Sequence, residues 1–395
     1  MLPQDMLALG TKRSAIRELF EYGKLRKAQV GEDKVYDFSL GNPSIPAPKD
    51  VDDAIKELVD GGNSVLLHGY SSAQGDANVR KTIADYLNKT HGTSFSPDNL
   101  YMTCGAAASL CISLRALLLP GEEVIAFAPF FPEYVVFVEG QGGKVKVVPP
   151  TASFQPDLEA FEKAINKNTK AVIINSPNNP SGVVYSEDTI KAIAEILEKK
   201  SKELGREIFI IADEPYRELV YDADTKVPYI TKYYRNTIVC YSYSKSLSLP
   251  GERIGYILVP DEVCESKSIY ACVCGAGRAL GYVCAPTMFQ QVVAKCCGKT
   301  GDISAYKKNR DLILGGLSEI GYECVKPDGA FYLFVKALED DANAFCEKAK
   351  AHDLLIVSGD GFFCPGYVRI SYCVSEKTIR DSMPAFKALF DEYNK

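Results

Sequence analysis

Three stretches decide how this chain folds: residues 171–182, AVIINSPNNPSG; residues 208–216, IFIIADEPY; and residues 237–245, TIVCYSYSK. Each starts as a short apolar run and ends in a polar cluster. Runs of this length, rich in Ile and Val, read as buried strands. Similar runs stand at Val145–Val148 and Ile254–Val259. Helical patterns lie between some of them, near 157–166 and 186–203. Short strands alternating with helices predict a mostly parallel sheet covered on both faces. In such sheets ligands bind beyond the carboxyl ends of the strands. The clusters at Asn175–Asn179, Asp213–Glu214 and Ser242–Lys245 therefore stand where a site belongs.

Outward from this centre the texture changes. Residues 12–28 carry Ile16, Leu19, Phe20 and Leu25 at near-helical spacing, which predicts an amphipathic helix. Pro43, Pro46 and Pro48 make the following stretch a loop. After Pro286 helices are expected through about 287–297 and 302–318, and a strand at 329–335. A helix near 340–351, a strand at 368–372 and a terminal helix from about 375 follow. This second part reads as a smaller α+β unit.

Composition narrows the class. The 395 residues, at roughly 150 per domain, suggest two or three domains. With 46% apolar and 24% charged residues, the chain has the balance of a soluble globular protein. Net charge −6 gives no push toward nucleic acid or an anionic membrane. The N-terminus lacks the apolar stretch of a signal peptide. The longest apolar run, Ala106–Leu119, contains Arg115, so no membrane span is expected. The 13 cysteines are scattered without a C-x-x-C pair, as in free thiols of a reducing cytoplasm. Three distant histidines do not make a zinc cluster. Gly275, Gly277 and Gly281 miss the dinucleotide-binding spacing by one residue, and no P-loop occurs.

The strand-end signatures come in a fixed order: Pro177-Asn178-Asn179-Pro180-Ser181-Gly182, then Asp213-Glu214-Pro215-Tyr216, then Ser242-Tyr243-Ser244-Lys245, then Arg253. Thr103-Cys104-Gly105-Ala106-Ala107 precedes them and Arg369 follows. Taken together, the set resembles the class I and II aminotransferases of the fold type I, pyridoxal phosphate-dependent family, over about residues 35–390. The resemblance implies a large domain at 46–286 with a mostly parallel seven-stranded sheet. It implies a smaller α+β domain made of 1–45 and 287–395. It also implies pyridoxal 5′-phosphate as cofactor and a cytoplasmic homodimer with shared active sites.

Roles carry over residue by residue. Lys245 matches the lysine that forms a Schiff base with the cofactor aldehyde, for which its amine must be unprotonated. Freed by substrate, that amine serves as general base and acid between the substrate Cα and the cofactor C4′. Asp213 matches the carboxylate against the pyridine nitrogen, which keeps the ring an electron sink. Tyr216 and Asn179 match donors to the phenolic oxygen. Gly105, Ala106 and Ala107 open a helix whose free N–H groups suit a phosphate. Ser242, Ser244 and Arg253 match further phosphate ligands, and Tyr70 matches one supplied by the partner subunit. Phe131 matches the ring that stacks on the cofactor, often Trp in relatives, whereas this chain has no Trp. Arg369, with Asn179 and the Gly41 N–H, matches the clamp on the substrate α-carboxylate, a planar fork that suits Arg better than Lys. Each residue also has a plainer reading: Asp213 as a helix cap, Asn179 as an Asx turn, Phe131 as core, Arg369 in a structural ion pair.

The departures concern specificity. Ala106 stands where relatives often carry a hydroxyl. Ala107 and Ala108 stand where one dicarboxylate-specific subgroup has a lysine; Arg278, near the region from which another subgroup supplies a partner-chain arginine, and Arg17, on the N-terminal amphipathic helix, are candidates for such a cation, and neither is assigned. The expected reaction moves an amino group between an L-amino acid and a 2-oxo acid. A β-eliminating C–S lyase acting on cystathionine or cystine shares the same residues. A cofactor-binding transcriptional regulator would need a DNA-binding domain, and only about 35 residues precede the core.

Overall fold

The computed structural model describes residues 2–11 and 15–394. Two helices, Gln4–Thr11 and Ala15–Val30, lead to a short strand β1 (Tyr36–Asp37). The helix expected over 12–28 is thus seen from Ala15 on, and residues 12–14 lie outside the described set.

The large sheet has seven strands. They are β2 (Leu100–Thr103), β3 (Glu123–Phe127), β4 (Lys144–Val148), β5 (Thr169–Asn175), β6 (Phe209–Asp213), β7 (Thr237–Ser242) and β8 (Gly255–Leu258). Their spatial order is β2-β8-β7-β6-β5-β3-β4. The pairs from β7 through β6, β5 and β3 to β4 are all parallel. β8 runs antiparallel to both β7 and β2. The link 243–254 holds a single turn of helix, Tyr243–Ser246, and no covering helix, so the chain turns back instead of crossing over. The sequence pattern marked β4 to β8. β2 and β3 escaped it because β2 is four residues long and β3 begins on Glu123.

Alternation explains why β6 is apolar throughout. Successive side chains point to opposite faces. Ile210 and Ala212 pack with Ile83, Leu87, Ile193 and Leu197 on one face. Phe209 and Ile211 pack with Leu110, Leu114 and Val273 on the other. Both faces are covered, as parallel sheets require. The two helices on the first of these faces begin on side-chain caps, Asp76 for Ala77–His91 and Ser186 for Glu187–Leu204.

The second sheet comprises β9 (Cys324–Val325), β10 (Tyr332–Lys336), β12 (Val357–Ser358) and β13 (Tyr367–Ser371), while β11 (Leu354–Leu355) lies between β10 and β12 in sequence. Its order is β12-β13-β10-β9, antiparallel throughout. Ile313 and Leu317 of helix Ile303–Ile320 and Phe386 and Leu389 of helix Glu376–Tyr393 pack with Leu333 and Val335 of β10. β1 pairs in parallel with β11, tying residues near the N-terminus to the C-terminal part. Val292 and Val293 of helix Thr287–Lys295 pack with Val51 and Val79 on the large sheet. The 13 cysteines are all free.

Ile211 has 0% of its surface exposed. Ile211→Ala is expected to cost about 2–5 kcal/mol and lower the thermal unfolding midpoint. Leu119, 67% exposed, gives the control: Leu119→Ala stays within about 0.5 kcal/mol.

Candidate active site

The parallel register brings three strand ends together. Asn175 ends β5, Asp213 ends β6 and Ser242 ends β7, and all three line one cavity of about 320 Å³. Gly41, Ala106, Ala107, Phe131, Asn179, Tyr216, Ser244, Lys245, Arg253 and Arg369 line it too. Gly105 stands just before Ala106 as the cap residue of helix Ala106–Leu117. Tyr70 is outside the cavity and 97% exposed. Neither Arg17 nor Arg278 is among the lining residues.

Lys245 sits in the single helical turn after β7. That turn starts on Ser242, whose Oγ accepts from the Ser244 N–H. The Lys245 amine donates to the Gly41 carbonyl at 2.7 Å. Burial lowers its pKa from 10.5 to about 8, with Arg253 and Arg369 pushing the same way and Cys373 opposing. An amine near 8 is partly neutral at physiological pH. Gly41 must be glycine here: a Cβ would stand 2.0 Å from the Tyr332 hydroxyl oxygen.

Asp213 is the acidic counterpart. Burial pushes its carboxyl up to about 7; the Tyr134 hydrogen bond opposes that rise, and Glu214 adds to it. The Tyr134 O–H donates to Oδ2 at 2.5 Å. Oδ1 is buried without a partner. A buried unpartnered oxygen is costly, and its natural remedy is a donor from a bound ligand.

Two cationic groups sit in separate networks. Arg253 Nη1 donates to the Pro250 carbonyl at 2.8 Å and to Ser244 Oγ at 3.5 Å. Beside it helix Ala106–Leu117 starts on Gly105 with no side-chain cap, leaving its first N–H groups free. Gly105 has φ +88°, and a Cβ there would stand 2.8 Å from Arg253 Nη2. The close approach of backbone and guanidinium makes an anion cradle. Arg369 projects from β13, its Nη2 donating to the Ser39 carbonyl at 2.6 Å and its Nη1 to Asn179 Oδ1 at 3.1 Å. The rings of Tyr332 and Phe362 lie 4.7 and 4.8 Å from its guanidinium carbon. Its Nε is buried without a partner.

Three contributors were not singled out from sequence. Asn175 donates to the Asp213 carbonyl at 2.9 Å and accepts from the Asn179 N–H at 2.8 Å. Tyr332 places its hydroxyl 2.9 Å from that of Tyr216. Tyr134 holds Asp213. Asn175 was visible as the strand-end residue of its cluster, whereas nothing local marks which tyrosines reach the cavity.

Comparison with known proteins follows the same lines. The profile of the family "Aminotransferase class I and II" matches residues 33–385. The chain belongs to this family. An aspartate aminotransferase of Thermotoga maritima is 32% identical over 360 residues, 89% of this chain and 90% of that protein. A crystal structure of an aminotransferase from Eubacterium rectale is 65% identical, with TM-score 0.98 and full coverage of both chains. The aspartate aminotransferase of Thermus thermophilus with maleate has TM-score 0.86 at 26% identity, covering 98% of this chain and 99% of that one. The protein is thus an enzyme of the pyridoxal phosphate-dependent aminotransferases, with their large α/β domain and smaller α+β domain.

In this aminotransferase the nearby cation Arg369 helps to lower the Lys245 pKa. Arg369→Gln is expected to raise the midpoint of the amine's reaction with an added aldehyde above the wild-type value of about 8. Reaction rate against pH in cofactor-free protein measures it.

Proposed function

We propose that this enzyme moves an amino group between an L-amino acid and a 2-oxo acid, with pyridoxal 5′-phosphate held on Lys245. The observation that carries the reading is one cavity combining a lysine of lowered pKa, a buried carboxylate with a free oxygen and two separately anchored arginines. The residues fit the cofactor. Unpartnered Asp213 Oδ1 suits a protonated ring nitrogen. Arg253, Ser242, Ser244 and the uncapped turn at Gly105, Ala106 and Ala107 suit its phosphate. Phe131 suits its ring face, and Tyr216 and Asn179 suit its phenolic oxygen.

When bound, pyridoxal phosphate supplies the electron sink that lets a Cα proton leave. The chain's own groups do the rest. Arg369 and Asn179 orient the amino acid by its α-carboxylate, completing the guanidinium whose Nε lacks a partner. Lys245 Nζ takes the Cα proton and later gives it up, a task for an amine titrating near working pH. Asp213 holds negative charge at the strand end. The Tyr332 and Phe362 rings keep water from the Arg369 fork.

We read residues 46–286 as the cofactor domain, and 1–45 with 287–395 as the smaller domain; the β1–β11 pairing supports joining the two ends, while helix Thr287–Lys295 packs in the core of the large sheet. We also place Tyr70 in a second copy's site. It lies on a surface with Val65 (86% exposed) and Leu66 (69% exposed), an apolar face suited to a partner. We read the enzyme as a homodimer with shared sites that works on small molecules in the cytoplasm.

Lys245→Ala should lower turnover at least about a hundredfold and replace the lysine-linked absorption band of the loaded protein with that of the free cofactor aldehyde. Unchanged turnover would sink the mechanism. Arg369→Lys is expected to raise KM about tenfold, since a point charge replaces a fork. A half-reaction screen of amino acids names the donor. Pyruvate and ammonia released from cystathionine, without keto acid formation dependent on 2-oxoglutarate, would favour the C–S lyase instead.

A further inference from the structure

Tyr134 lies in helix Glu133–Glu139 and is 1% exposed. Its neighbours are aromatic. The Phe130 ring stacks at 5.9 Å and 10°, and the Phe131 ring meets it edge-on at 5.9 Å and 90°. A third phenylalanine would satisfy packing of this kind. The hydroxyl needs its own reason, because a buried O–H costs stability unless it is bonded. Its partner is Asp213 Oδ2, at 2.5 Å. Among the described residues it is the one donor to that carboxylate, since Oδ1 has no partner and the Asn175 side chain donates to the Asp213 backbone carbonyl.

We propose that Tyr134 is a positioning residue that holds Asp213 as a carboxylate, engaging Oδ2 and leaving Oδ1 as the free acceptor for the cofactor's ring nitrogen. The role of Oδ1 rests on the proposed function; the hold of Tyr134 on Asp213 does not. A hydrogen bond to an ionised acceptor is stronger than one to a neutral acid. Tyr134 therefore favours the charged form, against burial and against Glu214, which both favour the protonated one. A protonated Asp213 would itself donate a hydrogen bond and could not stabilise a protonated ring nitrogen. The phenol keeps its proton, because burial and Asp213 both raise its pKa. The other titratable groups around Asp213 are Glu214 and Tyr216 on its own segment, Cys240 paired with it on β7, and Lys245, Arg253, Tyr332 and Arg369 in the same cavity. Of these, none donates to the carboxylate. Phe131 lines the cavity, so the same phenol that holds Asp213 also braces the ring expected to cover the cofactor.

The test uses cofactor-free full-length protein with 13C-carboxyl aspartate, the Asp213 resonance being assigned by its loss in Asp213→Asn. In wild type it should titrate near neutrality, at about 7. Tyr134→Phe keeps the ring and removes the donor; the midpoint should rise by about one unit or more. Phe130→Leu disturbs the same packing but keeps the hydroxyl, and should leave the midpoint in place. In the loaded enzyme Tyr134→Phe should lower kcat about tenfold, with the loss deepest at acidic pH. An unmoved midpoint in Tyr134→Phe overturns the proposal. So does an equal shift in Phe130→Leu, which would assign the effect to packing. A shifted Asp213 midpoint together with a fully active Lys245→Ala would support the pairing while removing the proposed function.

Discussion

Burial of two opposite ionisable groups in one cavity governs this structure. Low dielectric pushes each toward its neutral form: Lys245 down to about 8 and Asp213 up to about 7. The two groups need opposite outcomes from that tendency: it must be resisted at Asp213 and reinforced at Lys245. Asp213 must keep its charge while buried, and Lys245 must be able to lose its own. The surroundings are arranged accordingly. Cations in the cavity, Arg253 and Arg369, help to neutralise the amine, and a phenol donates to the carboxylate. Both groups sit at ends of adjacent parallel strands, β6 and β7, fixed by the Asp213–Cys240 register.

The same constraint links the two sheets. Arg369 belongs to β13 of the small sheet, yet it bonds Asn179 from the loop after β5 of the large one. Asn179 is held by Asn175, and Asn175 holds the Asp213 backbone. A short chain of hydrogen bonds through two asparagines thus joins the Arg369 guanidinium to the Asp213 backbone. Gly41 contributes from the N-terminal side, accepting from Lys245 and leaving room for Tyr332. Tyr216 packs among the small-sheet core residues although its chain position follows β6. The cavity therefore exists only where both cores meet, and disturbing either should loosen the site before it unfolds the chain.

Much of this was legible in the sequence. Parallel strands buried on both faces are continuously apolar, so β5, β6 and β7 stand out, and their polar ends mark the site. Order along the chain then placed Lys245, Asp213, Arg253 and Arg369, and the structure gathers them. Less local features were hidden. β8 reads as one more parallel strand, because its antiparallel direction depends on the short link before it. Asn175 and Tyr332 do their work through contacts with residues distant in sequence. Tyr134 sits in a helix whose pattern is apolar, and only the position of Asp213 shows what its hydroxyl is for. Tyr70 marks another boundary: it is exposed in one chain, and the role proposed for it needs a second copy.

Reduction of the loaded enzyme with borohydride tests the central claim most directly. This treatment fixes the cofactor covalently to the amine that carries it, and peptide mass spectrometry then locates it. The account predicts the added mass on Lys245 alone, within the segment 242–253. Labelling of a different lysine, or no stable label on any lysine, would contradict it.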